Sequence, residues 1–154
     1  FFARQHTGED RLDYVDFDYI ARIAKVNATT LACLADAPRP PQLVMINRDP
    51  QTYETGLSWR SEESSDNLQG FKILMRETGA RVWQEERAIG LPALKEAPPW
   101  GKIYEARWRG RSIDKYIFGV AAINKNGRES VAATFDLQAA QAWVRAQREK
   151  QAGK

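Results

Sequence analysis

The residues best suited to chemistry stand near the amino end, in "HTGEDRLDYVD". His6 is the only histidine in the 154 residues, and Glu9, Asp10, Asp13 and Asp16 follow it closely. A neutral imidazole beside carboxylates is a donor set for zinc, and a carboxylate commonly orients the imidazole through its second nitrogen. A single imidazole does not close such a site, and no His-Glu-x-x-His, His-x-Asp or Cys-x-x-Cys element accompanies it. On local chemistry His6 reads as a surface or N-terminal-turn histidine in preference to a metal ligand. The second cluster is "RWRGR". On a strand, Arg107, Arg109 and Arg111 would share a face suited to a phosphate, a carboxylated glycan or an acidic protein surface. Glu62, Glu63, Glu85, Glu86 and Asp114 supply countercharge for a locally paired alternative.

The elements that must carry these groups follow from periodicity. Phe17, Ile20, Ala24, Ala28, Leu31 and Ala35 recur at spacings of three and four, which predicts a helix from about Asp16 to Ala37. Asp16 is its expected N-cap, Asp18 adds an acid to the first turn, and "APRPP" ends it. From Pro38 to Leu137 the period changes to two. "QLVMIN", "ETGLSWR", "GFKILMRE", "RVWQEERAI", "KIYEARW", "KYIFGVAAIN" and "SVAATF" read as about seven strands of an antiparallel β-sandwich. "SEESSDNLQG" and "NKNG" read as turns. In "YIFGVAAIN" both alternating sets are apolar, as expected of a central strand. "LQAAQAWVRAQREKQ" is expected to form a C-terminal helix that packs Trp143 on the sandwich or frays as a tail.

Composition narrows the classes. Hydrophobic residues make up 43% of the chain, enough for a packed core, and Cys33 stands alone, so packing rather than a disulfide holds the fold. The 23 basic and 20 acidic residues nearly balance, which gives no electrostatic case for nucleic acid. No apolar run approaches the roughly 20 residues of a membrane span. The chain opens on Phe1-Phe2 without an initiator Met or leader, which we read as a processed or truncated start.

Two resemblances add to this reading. Tyr116-x-Phe118-x-Val120-x-Ala122-x-Asn124, followed by a Gly turn and Ser130, resembles the penultimate and last strands of a fibronectin type III domain. Trp59 matches the tryptophan usual on its second strand, and "PRPPQLVMI" its entry. The resemblance covers residues 38–137 and implies a fibronectin type III-like, immunoglobulin-like fold with Trp59 in the core and Tyr116 as a tyrosine corner. "LPALKEAPPWGKIYEARWRGRSID" is longer than that fold requires.

His6, Thr7, Asp10, Leu12, Asp13, Val15 and Asp16, with a helix immediately after, resemble the last metal-ligand motif of metallopeptidase family twenty-eight, the di-zinc aminopeptidases. The resemblance implies that His6 is the final histidine ligand of one of two zinc ions, with Thr7 and Asp10 beyond the ligand shell. Gln5 and Gly8 depart from the Tyr and Pro common there, which bears on the substrate pocket more than on the metal. Some bacterial members carry a fibronectin-like domain after the closing helix.

The resemblance thus implies residues 1–37 as the severed end of an α/β catalytic domain with its metal-ligand loop and closing helix, 38–137 as an appended sandwich and 138–154 as a helical tail. The bridging aspartate, the Glu-Glu pair with the general base and the first His-x-Asp pair would lie upstream of Phe1. In such enzymes the metals polarise the scissile carbonyl while glutamate takes a proton from bound water. The parent would be a secreted or periplasmic zinc aminopeptidase acting on peptides, its sandwich packed on the catalytic domain, and this piece alone would be inactive. The alternative is a stand-alone fibronectin type III-like interaction module with His6 incidental. A polyanion or carbohydrate binder acting through the arginines is a third expectation.

Overall fold

The computed structural model describes residues 4, 6–48, 51–52, 54–97 and 101–152, the side chains of 47, 48, 139, 143, 147 and 150–152 excepted. The chain divides into two compact units, Phe1–Asp36 and Ala37–Lys154.

In the first unit a 3-10 turn, Leu12–Tyr14, leads into helix α1, Phe17–Asp36. Asp16 caps α1 as the sequence predicts: the Tyr19 amide donates to Asp16 Oδ1 at 2.8 Å, and the Ile20 amide to the Asp16 carbonyl at 3.1 Å. The carboxylate thereby satisfies an amide that has no intrahelical partner and sits at the positive end of the helix dipole. Asp18 supports it in the first turn. The helix stops before Ala37-Pro38, since the residue preceding a proline is disfavoured in helical geometry. None of its residues is buried.

The second unit contains two four-stranded antiparallel sheets. Strands β1 (Gln42–Arg48), β2 (Thr55–Arg60), β5 (Lys95–Glu96) and β6 (Lys102–Trp108) form one, in the order β1-β2-β6-β5. Strands β3 (Leu68–Glu77), β4 (Glu85–Gly90), β7 (Tyr116–Asn124) and β8 (Ala133–Thr134) form the other, in the order β4-β3-β7-β8. Helix α2, Leu137–Ala152, follows β8. The fold is mainly β, as the alternation predicts, and its core lies between the sheets. Phe71, Ile73 and Met75 of β3 pair with Ala122, Val120 and Phe118 of β7, so one face of each strand is apolar and enclosed. From the facing sheet come Leu57, Trp59, Tyr104 and Trp108. Trp59 has no exposed surface, and its ring meets Phe71 edge-on at 5.0 Å between centroids, a favoured aromatic geometry.

Four expectations are corrected. "RVWQEERAI" is strand only from Glu85, because Val82 is 71% exposed and Trp83 turns onto the outer face of β7, against the space left by Gly119. "SVAATF" shortens to two residues because the Ser130 hydroxyl accepts the Ala122 amide at 2.9 Å, displacing the strand from a regular ladder. An eighth strand, β5, pairs Lys95 and Glu96 with β6 in the long segment before it. Tyr116 is half-buried beneath the Arg111 guanidinium, 5.4 Å from the ring centroid, and no tyrosine-corner bond from its hydroxyl occurs among the described residues. The side chain of Trp143 lies outside the described residues. Among those described, no helix is long and apolar enough to cross a membrane.

Candidate functional site

His6 is exposed and lies in a turn closed by the Thr7 amide donating to the Arg4 carbonyl at 3.2 Å. Its φ of 61° is left-handed, a region that histidine enters more readily than branched residues do. The Thr7 hydroxyl holds the turn from both sides, donating to the Arg4 carbonyl at 2.7 Å and accepting the Glu9 amide at 3.2 Å. The Arg4 guanidinium lies 3.6 Å from the centroid of the Tyr14 ring, tying the loop to the 3-10 turn. Asp16 is committed to capping α1. His6, Glu9, Asp10 and Asp13 are all exposed, and no group of three or more histidine, cysteine, aspartate or glutamate side chains converges among the described residues. A zinc site needs three or four such donors, so the residues described here do not make one unaided. Cys33 is exposed on α1, apart from His6 in sequence.

The three arginines do not form one face. Arg107 lies on β6 opposite Gly56, but Trp108 turns into the core and Gly110, with φ of 70°, ends the strand in a turn. Arg109 Nε reaches Glu54 at 3.8 Å, while Arg111 Nη2 meets Glu85 at 2.9 Å. That hydrogen bond with Glu85 raises the Arg111 pKa from its ordinary value, reinforced by the carboxylate's charge. The paired arrangement therefore describes Arg109 and Arg111 better than a free cationic stripe. The buried Thr55 hydroxyl donates to the Arg111 carbonyl at 2.8 Å, which fixes the backbone of this loop.

Sequence reasoning missed three features of the second unit. Lys72 bridges Glu129 and Glu86 on the outer face of β3, and its pKa is raised chiefly by the hydrogen bond to Glu129, against the opposing effect of burial. Glu63 accepts the Arg39 amide at 3.0 Å and Asn67 Nδ2 at 3.0 Å, pinning the proline-rich segment that enters β1. The third is an apolar groove of about 320 Å³ among β1, β7 and β8. It arises only when the strands are assembled, so no local pattern announces it.

Comparison with known proteins covers 80% of the chain. A probable zinc metalloprotease of Pyrenophora tritici-repentis is 32% identical over 123 residues, 80% of this chain and 23% of that protein. Another, of Pyricularia oryzae, is 30% identical over 125 residues, 80% of this chain and 22% of that protein. A third, of Leptosphaeria maculans, is 30% identical over 123 residues, covering 80% and 26%. The chain is similar in sequence to these probable zinc metalloproteases. It spans about a quarter of their length.

No family model matches the chain. Solved structures with partial likeness include Astrotactin-2, at 14% identity and a TM-score of 0.47 over 64% of this chain and 21% of that one. The twitchin kinase region of C. elegans gives 18% identity and 0.41 over 64% and 17%. Likeness at these scores is too distant to bear on fold or function.

Proposed function

We propose that this chain is the C-terminal part of a zinc-dependent aminopeptidase. Residues 1–37 are the end of its catalytic domain and 38–137 an accessory fibronectin type III-like sandwich. The observation that carries the reading is the similarity to probable zinc metalloproteases, which covers 80% of this chain but only 23% of the relative. His-Thr-x-x-Asp-x-x-Asp-x-x-Asp, beginning at His6 and running directly into a capped helix, supports placing the metal-ligand loop in the first unit. The order β1-β2-β6-β5 facing β4-β3-β7-β8 corresponds to strands ABED and C′CFG of immunoglobulin-like sandwiches, which supports the accessory-domain assignment.

In this reading His6 is one ligand of a two-zinc centre, and the remaining ligands and the general base belong to the region preceding Phe1. Peptides with a free N-terminus are the substrates of the whole enzyme, and its secreted or periplasmic location belongs to the same reading. In this reading the chain alone is inactive, since no zinc donor set converges among its described residues.

The test begins with the coding sequence upstream of Phe1, followed by expression of the whole frame and of this chain. The expected result is stoichiometric zinc and cleavage of aminoacyl reporters by the whole protein, and neither by the chain. His6→Asn suits the turn, because asparagine tolerates the left-handed region while removing the imidazole. In the whole protein it is expected to lower turnover about 100-fold or more and to release zinc. A stop codon directly upstream, or tight zinc and peptidase activity in this chain alone, overturns the proposal.

A further inference from the structure

Helix α2 differs in charge from the rest of the chain. The formal surplus of +3 arises entirely in residues 137–154, where Arg145, Arg148, Lys150 and Lys154 stand against Glu149 alone, while the residues before Leu137 carry equal numbers of each sign. Cations of the sandwich are neutralised locally: Arg60, Lys72, Lys95 and Arg111 each meet a glutamate. Arg145 and Arg148 meet no carboxylate among the described residues. Helix α2 rests on β1, and one of its faces stays open. A shallow hollow runs along that face, lined by α2 alone through Leu137, Ala140, Gln141, Val144, Arg145 and Arg148. Spacings of three and four place Leu137, Ala140, Val144 and Arg148 in one row, with Gln141 and Arg145 beside it. Leu137 is 60% and Val144 40% exposed. Glu149, five positions beyond Val144, belongs to the far side of the helix.

We propose that this face of α2 lies on an anionic lipid surface, as a peripheral attachment rather than a span. Two chemistries coincide on it: an exposed apolar row, and cations without local partners. A soluble polyanion satisfies the cations and has no use for Leu137 and Val144, whereas the interface of an anionic bilayer takes up both. The row of leucine, alanine and valine carries no aromatic or arginine anchor set among apolar neighbours, the kind of group that seats a shaped protein pocket, so a planar surface fits it better. Arg145 and Arg148 flank the row, where their aliphatic stems lie along apolar surface while the guanidinium groups reach phosphate. Each lysine or arginine near such a surface contributes about fivefold to partitioning. The apolar row is short, so attachment is reversible and weakens as salt screens the cations. It is independent of the zinc chemistry proposed above.

The experiment sediments the full-length protein with vesicles of roughly 3:1 phosphatidylcholine to phosphatidylglycerol, with pure phosphatidylcholine vesicles and soluble heparin as comparators. Binding to the anionic vesicles is expected to be at least about tenfold stronger than to the neutral ones. Arg145→Gln combined with Arg148→Gln is expected to weaken it at least about tenfold. Leu137→Gln combined with Val144→Gln is expected to weaken it by a comparable factor and to leave any heparin binding unchanged. Glutamine is a good helix former, so both pairs retain α2, and an unchanged thermal midpoint checks this. Arg81→Gln combined with Arg87→Gln removes the same charge at exposed sites in β4 and the loop before it, and leaves vesicle binding as it was. Absence of binding to the anionic vesicles overturns the proposal, as do equal binding to neutral ones and equal losses from the two arginine pairs. Binding that needs Arg145 and Arg148 but is indifferent to Leu137 and Val144 also overturns it, and assigns the face to a soluble polyanion.

Discussion

Trp59 fills the space between the sheets with no exposed surface, packed against Phe71 at 5.0 Å and Tyr104 at 6.3 Å. Its indole Nε1 is buried without a hydrogen-bond partner among the described residues, an arrangement that lowers the benefit of having an indole there. Trp59→Ala should therefore cost roughly 3–5 kcal/mol through the cavity it leaves. Trp59→Phe should cost a clearly smaller amount, because it keeps most of the ring volume and deletes an unsatisfied donor. Urea midpoints of the two variants check the ordering, and equal losses would contradict it. Glu63 makes a second residue-scale prediction. The Arg39 amide, then Asn67, hold its pKa below the ordinary glutamate value. A lowered folded-state pKa contributes stability above the ordinary value, and that contribution disappears as pH falls through the lowered one. The thermal midpoints of the native chain and Glu63→Gln should differ at neutral pH and converge as the pH falls below the ordinary glutamate range and through the lowered pKa. A gap that persisted in acid would remove the assigned role of the carboxylate.

At the scale of elements, β3 and β4 approach so closely at Gly70 that an added Cβ would lie 2.2 Å from the Ile89 carbonyl oxygen. Backbone cannot swing aside as a side chain can, so Gly70→Ala should cost about 1–3 kcal/mol and loosen β4. Gly90, on the partner strand, has nothing within 4 Å of a built Cβ, and Gly90→Ala should stay within about 0.5 kcal/mol. Chemical denaturation of the pair distinguishes close approach from a general intolerance of alanine. The same elements show what local pattern conveys. Strands β3 and β7 were legible because enclosure between sheets demands alternate apolar residues, and α1 because its cap and stripe are local. Strand β8 was misjudged because a single hydroxyl, that of Ser130, replaces a ladder partner at Ala122. The local pairing of the arginine cluster was legible from the surrounding acids, as Arg109 with Glu54 and Arg111 with Glu85 show, whereas a shared strand face was not, because β6 ends at Trp108. At the candidate site, the sequence order His6 to Asp16 was legible as a resemblance, and the Asp16 cap as local chemistry. The donors that would complete the proposed zinc site were not, because a metal site is assembled from distant segments.

Across the whole molecule the two units differ in what holds them. The sandwich encloses an aromatic core, whereas α1 spans 20 residues without one that is buried, and Phe17, Ile20, Leu31 and Leu34 are each more than half exposed. Helices owe most of their stability in water to a packed apolar face rather than to propensity. Asp16 contributes a cap, but Val26, Thr29 and Thr30 are β-branched and lose rotamer freedom in a helix. Amide exchange of this chain should therefore show α1 weakly protected, with slow amides concentrated in β3 and β7. The same measurement bears on the proposed enzyme, because a catalytic domain that receives the apolar face of α1 must slow its exchange by the free energy of that packing. Protection of α1 that rises in the full-length protein and stays low here is the expected pair of results. Protection of α1 matching β7 in this chain by itself would mean that the helix already has its packing partner, and residues 1–37 would then be no severed end.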